Sequence, residues 1–164
     1  MEYDMKRFLI AAASVTALAA PAAADSSTYS VDIYGDVSPF CEAINDSISA
    51  VETLSALDGT LQSLGDVTYR CNLPDGFQRT VTSTNGGQLS GPEGLTIDYS
   101  LSHSGAPSIA FPATQLTAPL VDSRAGSYSL ALGQTGTVSA SAVAGTFLWA
   151  GVYTDTVELE IAAN

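Results

Sequence analysis

The clearest hydrophobic pattern in the chain is its last. Tyr153, Val157, Leu159 and Ile161 fall on one side, and Thr154, Thr156, Glu158 and Glu160 on the other, with Asp155 alone off the pattern. A period of two with aromatic and β-branched residues on one face predicts a half-buried strand. Its apolar face needs a second layer over it, which points to a sandwich. The strand ends three residues before Asn164, and no later strand follows it in the sequence. Such a strand is either a plain edge or one that the protein covers or exploits, because an exposed apolar edge invites association.

A second alternating stretch lies near the other end. Tyr29, Val31, Ile33 and Val37 alternate with Ser30, Asp32, Tyr34, Asp36 and Ser38, Gly35 standing in the apolar register. It predicts another strand, closed by Ser38-Pro39 just before Cys41. Ile48, Val51, Leu54 and Leu57 then recur every three residues, with Asp46 or Ser47 to cap and Gly59 to stop, which predicts a short helix over 47–57. Strand patterns resume at Asp66–Cys71, Phe77–Thr82 and Leu95–Leu101, with turn residues Leu73-Pro74-Asp75-Gly76 and Asn85-Gly86-Gly87 between them. Pro107, Pro112 and Pro119 limit residues 104–120 to an edge. Two short strands are expected at Ser127–Leu132 and Thr137–Val143. Phe147-Leu148-Trp149 forms either a core plug or a corner before the last strand. Seven or eight short strands with turns between them predict one all-β domain, an immunoglobulin-like sandwich with one short helix between the cysteines.

The beginning of the chain reads differently. Met5-Lys6-Arg7, the apolar run Phe8–Ala20 and the triplet Ala22-Ala23-Ala24 have the layout of a secretory signal peptide over residues 1–24. The apolar run is too short to span a bilayer as a helix, so no membrane span is expected in the mature chain. Of the 17 acidic residues, Glu2 and Asp4 leave with that segment, as do Lys6 and Arg7, so the net charge stays at −12. With Arg70, Arg79 and Arg124 as its cations, such a domain is a poor partner for nucleic acid or an anionic membrane surface. The two cysteines, Cys41 and Cys71, in an exported chain favour a disulfide, which for a loop of this size stabilises by roughly 3–4 kcal/mol.

Catalytic chemistry is hard to assemble from what remains. The single histidine, His103, lies in Leu101-Ser102-His103-Ser104-Gly105, without a nucleophile elbow, and reads as a solvated residue at a strand end. Zinc would need two ligands beyond the cysteines. Asp122 and Asp155 are isolated and fit no calcium loop. Gly86-Gly87 and Gly91 lie between strands and not before a helix, which argues against a phosphate cradle. Phe147-Leu148-Trp149 could touch a sugar or a partner, but the balance favours core. No catalytic residue, metal or cofactor is expected.

The order of these features resembles the spore coat protein U domain family, which includes the pilin subunits of archaic chaperone–usher fimbriae. The resemblance rests on a leader, an alternating arm running into Cys41, and a second cysteine closing Gly65-Asp66-Val67-Thr68-Tyr69-Arg70-Cys71. It rests further on the tyrosine-bearing strand Leu95–Leu101 and the ending Gly151-Val152-Tyr153-Thr154-Asp155-Thr156-Val157. It implies a sandwich lacking its last strand, with residues 41–164 as the pilin-like domain and residues 25–40 as an arm. A periplasmic chaperone would fill the resulting groove first, and the arm of a neighbouring subunit would replace it at an outer-membrane usher. By position, Tyr29, Val31, Ile33 and Val37 would be donor residues, and Tyr153, Val157, Leu159 and Ile161 would line the acceptor groove or the core below it. Cys41 and Cys71 would match the family's disulfide. The arm has two possible fates, donation to a neighbour or folding back as the domain's own first strand. Two functions follow: a structural subunit of an exported fimbria supporting adhesion or biofilm formation, or a self-contained secreted or periplasmic binding module, tip-adhesin-like, for a sugar or protein.

Overall fold

A computed structural model describes residues 28–164; the expected signal peptide and the first residues of the arm lie outside the described residues. The chain divides into two units at Asp36/Val37. Residues 28–36 form neither helix nor strand. Their alternation supplies two faces, but a strand exists only where its backbone finds a ladder partner.

Residues 37–164 build an all-β sandwich of two antiparallel sheets. The strands are β1 (Cys41–Asn45), β2 (Gln62–Cys71), β3 (Phe77–Ser83), β4 (Gln88–Ser90), β5 (Thr96–His103), β6 (Phe111–Thr114), β7 (Leu120–Arg124), β8 (Gln134–Ala142) and β9 (Val157–Ala163). One sheet runs β1-β2-β8-β5-β4, with β6 also pairing to β5; the other runs β7-β3-β9. Alternation along β2 turns Val67, Tyr69 and Cys71 inward. Along β3 it turns in Phe77, Arg79 and Val81. These meet Leu101, Val138 and Ala140 of the same sheet as β2, and Leu159 and Ile161 of β9, in one shared core. Burying each large apolar side chain of this kind contributes about 1.5–3 kcal/mol. Cys41 and Cys71 are direct cross-strand partners on β1 and β2 and are joined as a disulfide. The turn expected at 73–76 is present, with the Gly76 N–H donating to the Leu73 carbonyl at 3.0 Å. Gly76 has a positive φ, and a Cβ there would meet the Arg124 carbonyl.

The core contains a charge. Arg79 is fully buried. Its Nε and Nη2 donate to the two oxygens of Asp122 at 3.1 and 2.7 Å, and its Nη1 donates to the Ile109 carbonyl at 2.6 Å and to the Tyr69 hydroxyl at 3.3 Å. Its guanidinium also lies over the Phe111 ring at 4.8 Å. Asp122 accepts from Arg124 as well, and Arg124 reaches the Pro107 and Ala110 carbonyls. An unpaired buried charge would cost several kcal/mol; here every side of the guanidinium is met. Partial burial pushes the Asp122 carboxyl up, but the hydrogen bonds from Arg79 and Arg124 outweigh it and hold the group below the usual value.

Three expectations are corrected. The segment 47–57 is not helical. A repeat of three falls behind the helical turn by about 60° per step, and side chains satisfy the backbone instead. Asn45 brackets Ile48 with two bonds of 2.8 and 2.9 Å, and Gln62 accepts from the Ser55 and Ala56 N–H groups while donating to the Ala56 carbonyl. Residues 127–132, expected as a strand, contain a helix, α1 (Tyr128–Leu132). Ser127 caps it by accepting from the Leu130 N–H at 3.1 Å, and Gly133 at positive φ ends it. His103, expected in solvent, is only 2% exposed. It closes β5 against the edge of Tyr69, 5.3 Å between ring centroids, and lies over Gly136, where a Cβ would strike the imidazole.

Burial, with the Arg79 charge adding to it, pushes His103 down from 6.5 to about 4. Between those values the unfolded chain binds a proton that the folded chain refuses, so stability falls as the pH drops through this window. Urea unfolding between pH 7 and 4 is expected to show the native chain losing on the order of 3 kcal/mol that His103→Leu does not lose. Equal pH slopes in the two proteins would contradict this.

Candidate functional site

The two sheets are not closed on every side. β9 pairs with β3 along Val157–Ala163 and ends its sheet on the other side; β1 pairs with β2 and ends the other sheet. Between these two free edges lies a groove of about 490 Å³. One wall is Val157 and Leu159 of β9; the facing wall is Ala43 and Asn45 of β1 continued by Ile48. Its floor is the core itself: Val67 of β2, Val138 and Ala140 of β8, and Leu101 of β5. The lining is therefore mainly aliphatic, with the outer edges of β1 and β9, each paired on its other side, along its rims.

Asp155 and Thr156 stand at one end of the groove. The Asp155 carboxylate gathers four donors: the Tyr99 hydroxyl at 2.6 Å, the Ser83 hydroxyl, the Asn85 N–H at 2.9 Å and the Thr156 N–H at 2.7 Å. Burial, and then the hydrogen bond to Asp155, push the Tyr99 phenol above its ordinary value, so it stays a donor. Thr154 bridges to Ser90 through two main-chain bonds of 2.9 Å. Tyr153 covers Gly91, where a Cβ would collide with its ring. The motif Gly151–Val157 is thus a joint that delivers the last strand to β3. Asp155 breaks the alternation because its work is inside the joint. That break was the available signal for it, and neither Asp155 nor Asp122 is isolated in the fold.

The residues singled out from the sequence separate as follows. Val157 and Leu159 line the groove. Ile161 packs into the main core opposite Arg79. Tyr153 precedes β9, which starts at Val157, and packs on a smaller cluster around Ile97, Tyr99 and Ala142. Tyr29, Val31, Ile33 and Val37 are 79–91% exposed. The wall formed by Ala43, Asn45 and Ile48 had no sequence signal, since it depends on the pairing of β1 with β2. Phe147 and Trp149, weighed toward the core, are 62% and 53% exposed and pack edge to face on each other. Only Leu148 of that trio turns inward, onto the smaller cluster.

Among the described residues no group of three or more His, Cys, Asp or Glu side chains is placed to hold a metal ion, and no helix is long and apolar enough to cross a membrane. The His103 ring nitrogens have no hydrogen-bond partner among the described residues. Comparison with protein-family models matches none, and comparison with curated proteins finds no relative.

Asp155→Ala leaves four donors without their acceptor and is expected to cost about 2–4 kcal/mol, against about 1 kcal/mol for Tyr99→Phe. Thermal unfolding of the two variants checks the order. Equal melting temperatures for Asp155→Ala and the native chain would mean that the joint does not hold the last strand.

Proposed function

We propose that this chain is a structural subunit of an exported fimbria or surface assembly of the spore coat protein U kind, polymerised by donor-strand exchange and supporting adhesion or biofilm formation. The observation that carries the reading is the aliphatic groove between the free edges of β9 and β1. A strand laid there would find main-chain partners on the rims and pockets for alternate side chains on the floor. The arm offers a matching apolar face in Tyr29, Val31, Ile33 and Val37, all exposed. Moving such side chains from water into the groove is favourable by about 1.5–3 kcal/mol each. A head-to-tail contact of this type does not close on itself and so builds fibres.

The same chemistry calls for escorts. An open apolar edge aggregates unless it is covered, which gives a periplasmic chaperone and an outer-membrane usher their roles as partners. The chain would pass through the periplasm to the cell surface. The exposed Phe147–Trp149 pair supports a second reading, a self-contained secreted or periplasmic binding module that recognises a sugar or protein through its loops.

Unheated and heated denaturing gels of the native protein, compared with a version lacking residues 25–38, separate the two. A regular ladder that collapses on heating and disappears with the deletion is expected. A single monomer band in both lanes, with the shortened version unfolded, would replace the fibre by the binding module.

A further inference from the structure

Resting on the reading of the groove as a strand acceptor, we infer that the end of the sandwich carrying Phe147, Trp149 and Val152 is a docking surface for a second copy of this chain. The second copy meets it with the end carrying Phe40, Tyr128 and Leu132. The strand registers set these surfaces at opposite ends. Cys41, Cys71 and Phe77 lie at one end, with Gln134, which starts β8. Ala142, which ends β8, and Val157, which starts β9, lie at the other, so residues 143–156 cap it. On the first end, α1 holds Tyr128 81% and Leu132 66% exposed. A Cβ at Gly133, just after α1, would touch the Arg70 side chain, and the Arg70 guanidinium lies 5.4 Å over the Phe40 ring, so Phe40 adjoins the end of α1. On the second end, Phe147 and Trp149 pack on each other in the open, and Val152 is exposed. Their loop is fixed from within. Leu148 turns onto the smaller cluster, the Ala144 N–H donates to the Leu57 carbonyl at 2.8 Å, and the Tyr153 hydroxyl donates to the Trp149 carbonyl at 2.9 Å. Side chains on a loop held in this way lose less freedom on docking.

The groove decides which end a neighbour occupies. At the Cys41 end its two rims converge: Cys41 Sγ lies 3.6 Å from the Gly76 carbonyl, which also accepts from the Asn164 N–H at 3.1 Å. The groove lies beyond that point, from Ala43 and Leu159 to Asp155 and Thr156. A strand donated by another copy is therefore joined to its own domain through the end capped by residues 143–156. The tether is short. With Val37 seated, only residues 38–40 separate the strand from Cys41, a reach of at most about 10 Å. The donor's Cys41 end then lies against the acceptor's Trp149 end. Such a contact joins two different surfaces and repeats along a fibre. The inserted strand keeps the two ends together at an effective concentration on the order of millimolar, so a small apolar patch suffices.

Trp149 is the chain's only tryptophan and lies outside the groove lining, so its fluorescence reports the contact and not the filling of the groove. The test compares polymer of the native full chain with full chain kept monomeric by an excess of synthetic peptide of residues 25–38. The groove is filled in both, and a neighbouring domain is present only in the polymer. Trp149 emission is expected at shorter wavelength in the polymer, with acrylamide quenching several-fold weaker. A chain carrying Tyr128→Ser and Leu132→Ser, both at exposed positions where substitution leaves the fold intact, is expected to lose this shielding. Loss of its polymer with peptide uptake retained is the stronger form of the same result. Tyr128→Ser alone serves where the double variant takes up no peptide. Equal quenching in native polymer and peptide-filled monomer would overturn the inference and leave the strand-acceptor reading intact. So would shielding that survives the loss of Tyr128 and Leu132, since another surface would then cover Trp149. Absence of either polymer or peptide uptake in the native chain would remove the strand-acceptor reading, and this inference with it.

Discussion

The constraint on which the rest of the molecule depends is that β9 has one strand neighbour. It brings the inward face of Val157, Leu159 and Ile161 to β3 and leaves its other edge unpaired. β1 is in the same position in the facing sheet. The two edges approach each other without pairing, and where they leave part of the core reachable from outside, the groove opens. Its floor residues are the same Val67, Leu101, Val138 and Ala140 that fill the main core. A strand added there would extend the core rather than attach to a surface.

Polar contacts hold the sandwich together away from the groove and at its end. Asp122 ties Arg79 of β3 to Arg124 of β7, and the two arginines together bind three carbonyls of residues 107–110. Asp155 does the corresponding work at the start of β9, pulling it onto Ser83, Asn85 and Tyr99. Both carboxylates spend their charge inside the fold, in a chain with a net charge of −12. The remaining acids give each copy a strong like charge, which favours solubility.

Much of this was legible in the sequence, and the failures have a common cause. Alternation found β2, β3, β5 and β9 because each has one face against the core, and the cysteine count found the disulfide. The helix expected over 47–57 failed because Asn45 and Gln62, distant from its apolar spacing, satisfy its backbone. Tyr128, Leu130 and Leu132 alternate like a strand, yet the Ser127 cap and the Gly133 stop decide for a helix, leaving Leu130 alone buried. The burial of His103 depends on Tyr69 and Phe111 arriving from other strands. For the groove, one wall could be read from Val157 and Leu159. The other could not, because the position of Ala43 and Asn45 is a product of pairing.

The most direct measurement is amide hydrogen exchange over β1 and β9 in a chain lacking residues 25–38, without and with a synthetic peptide of those residues. If the groove accepts a strand, the peptide slows exchange along residues 43–45 of β1 and 157–159 of β9 together, since these are the parts of the two edges that line it. If exchange in these two segments is unchanged at saturating peptide while the chain remains folded, the groove is not a strand acceptor.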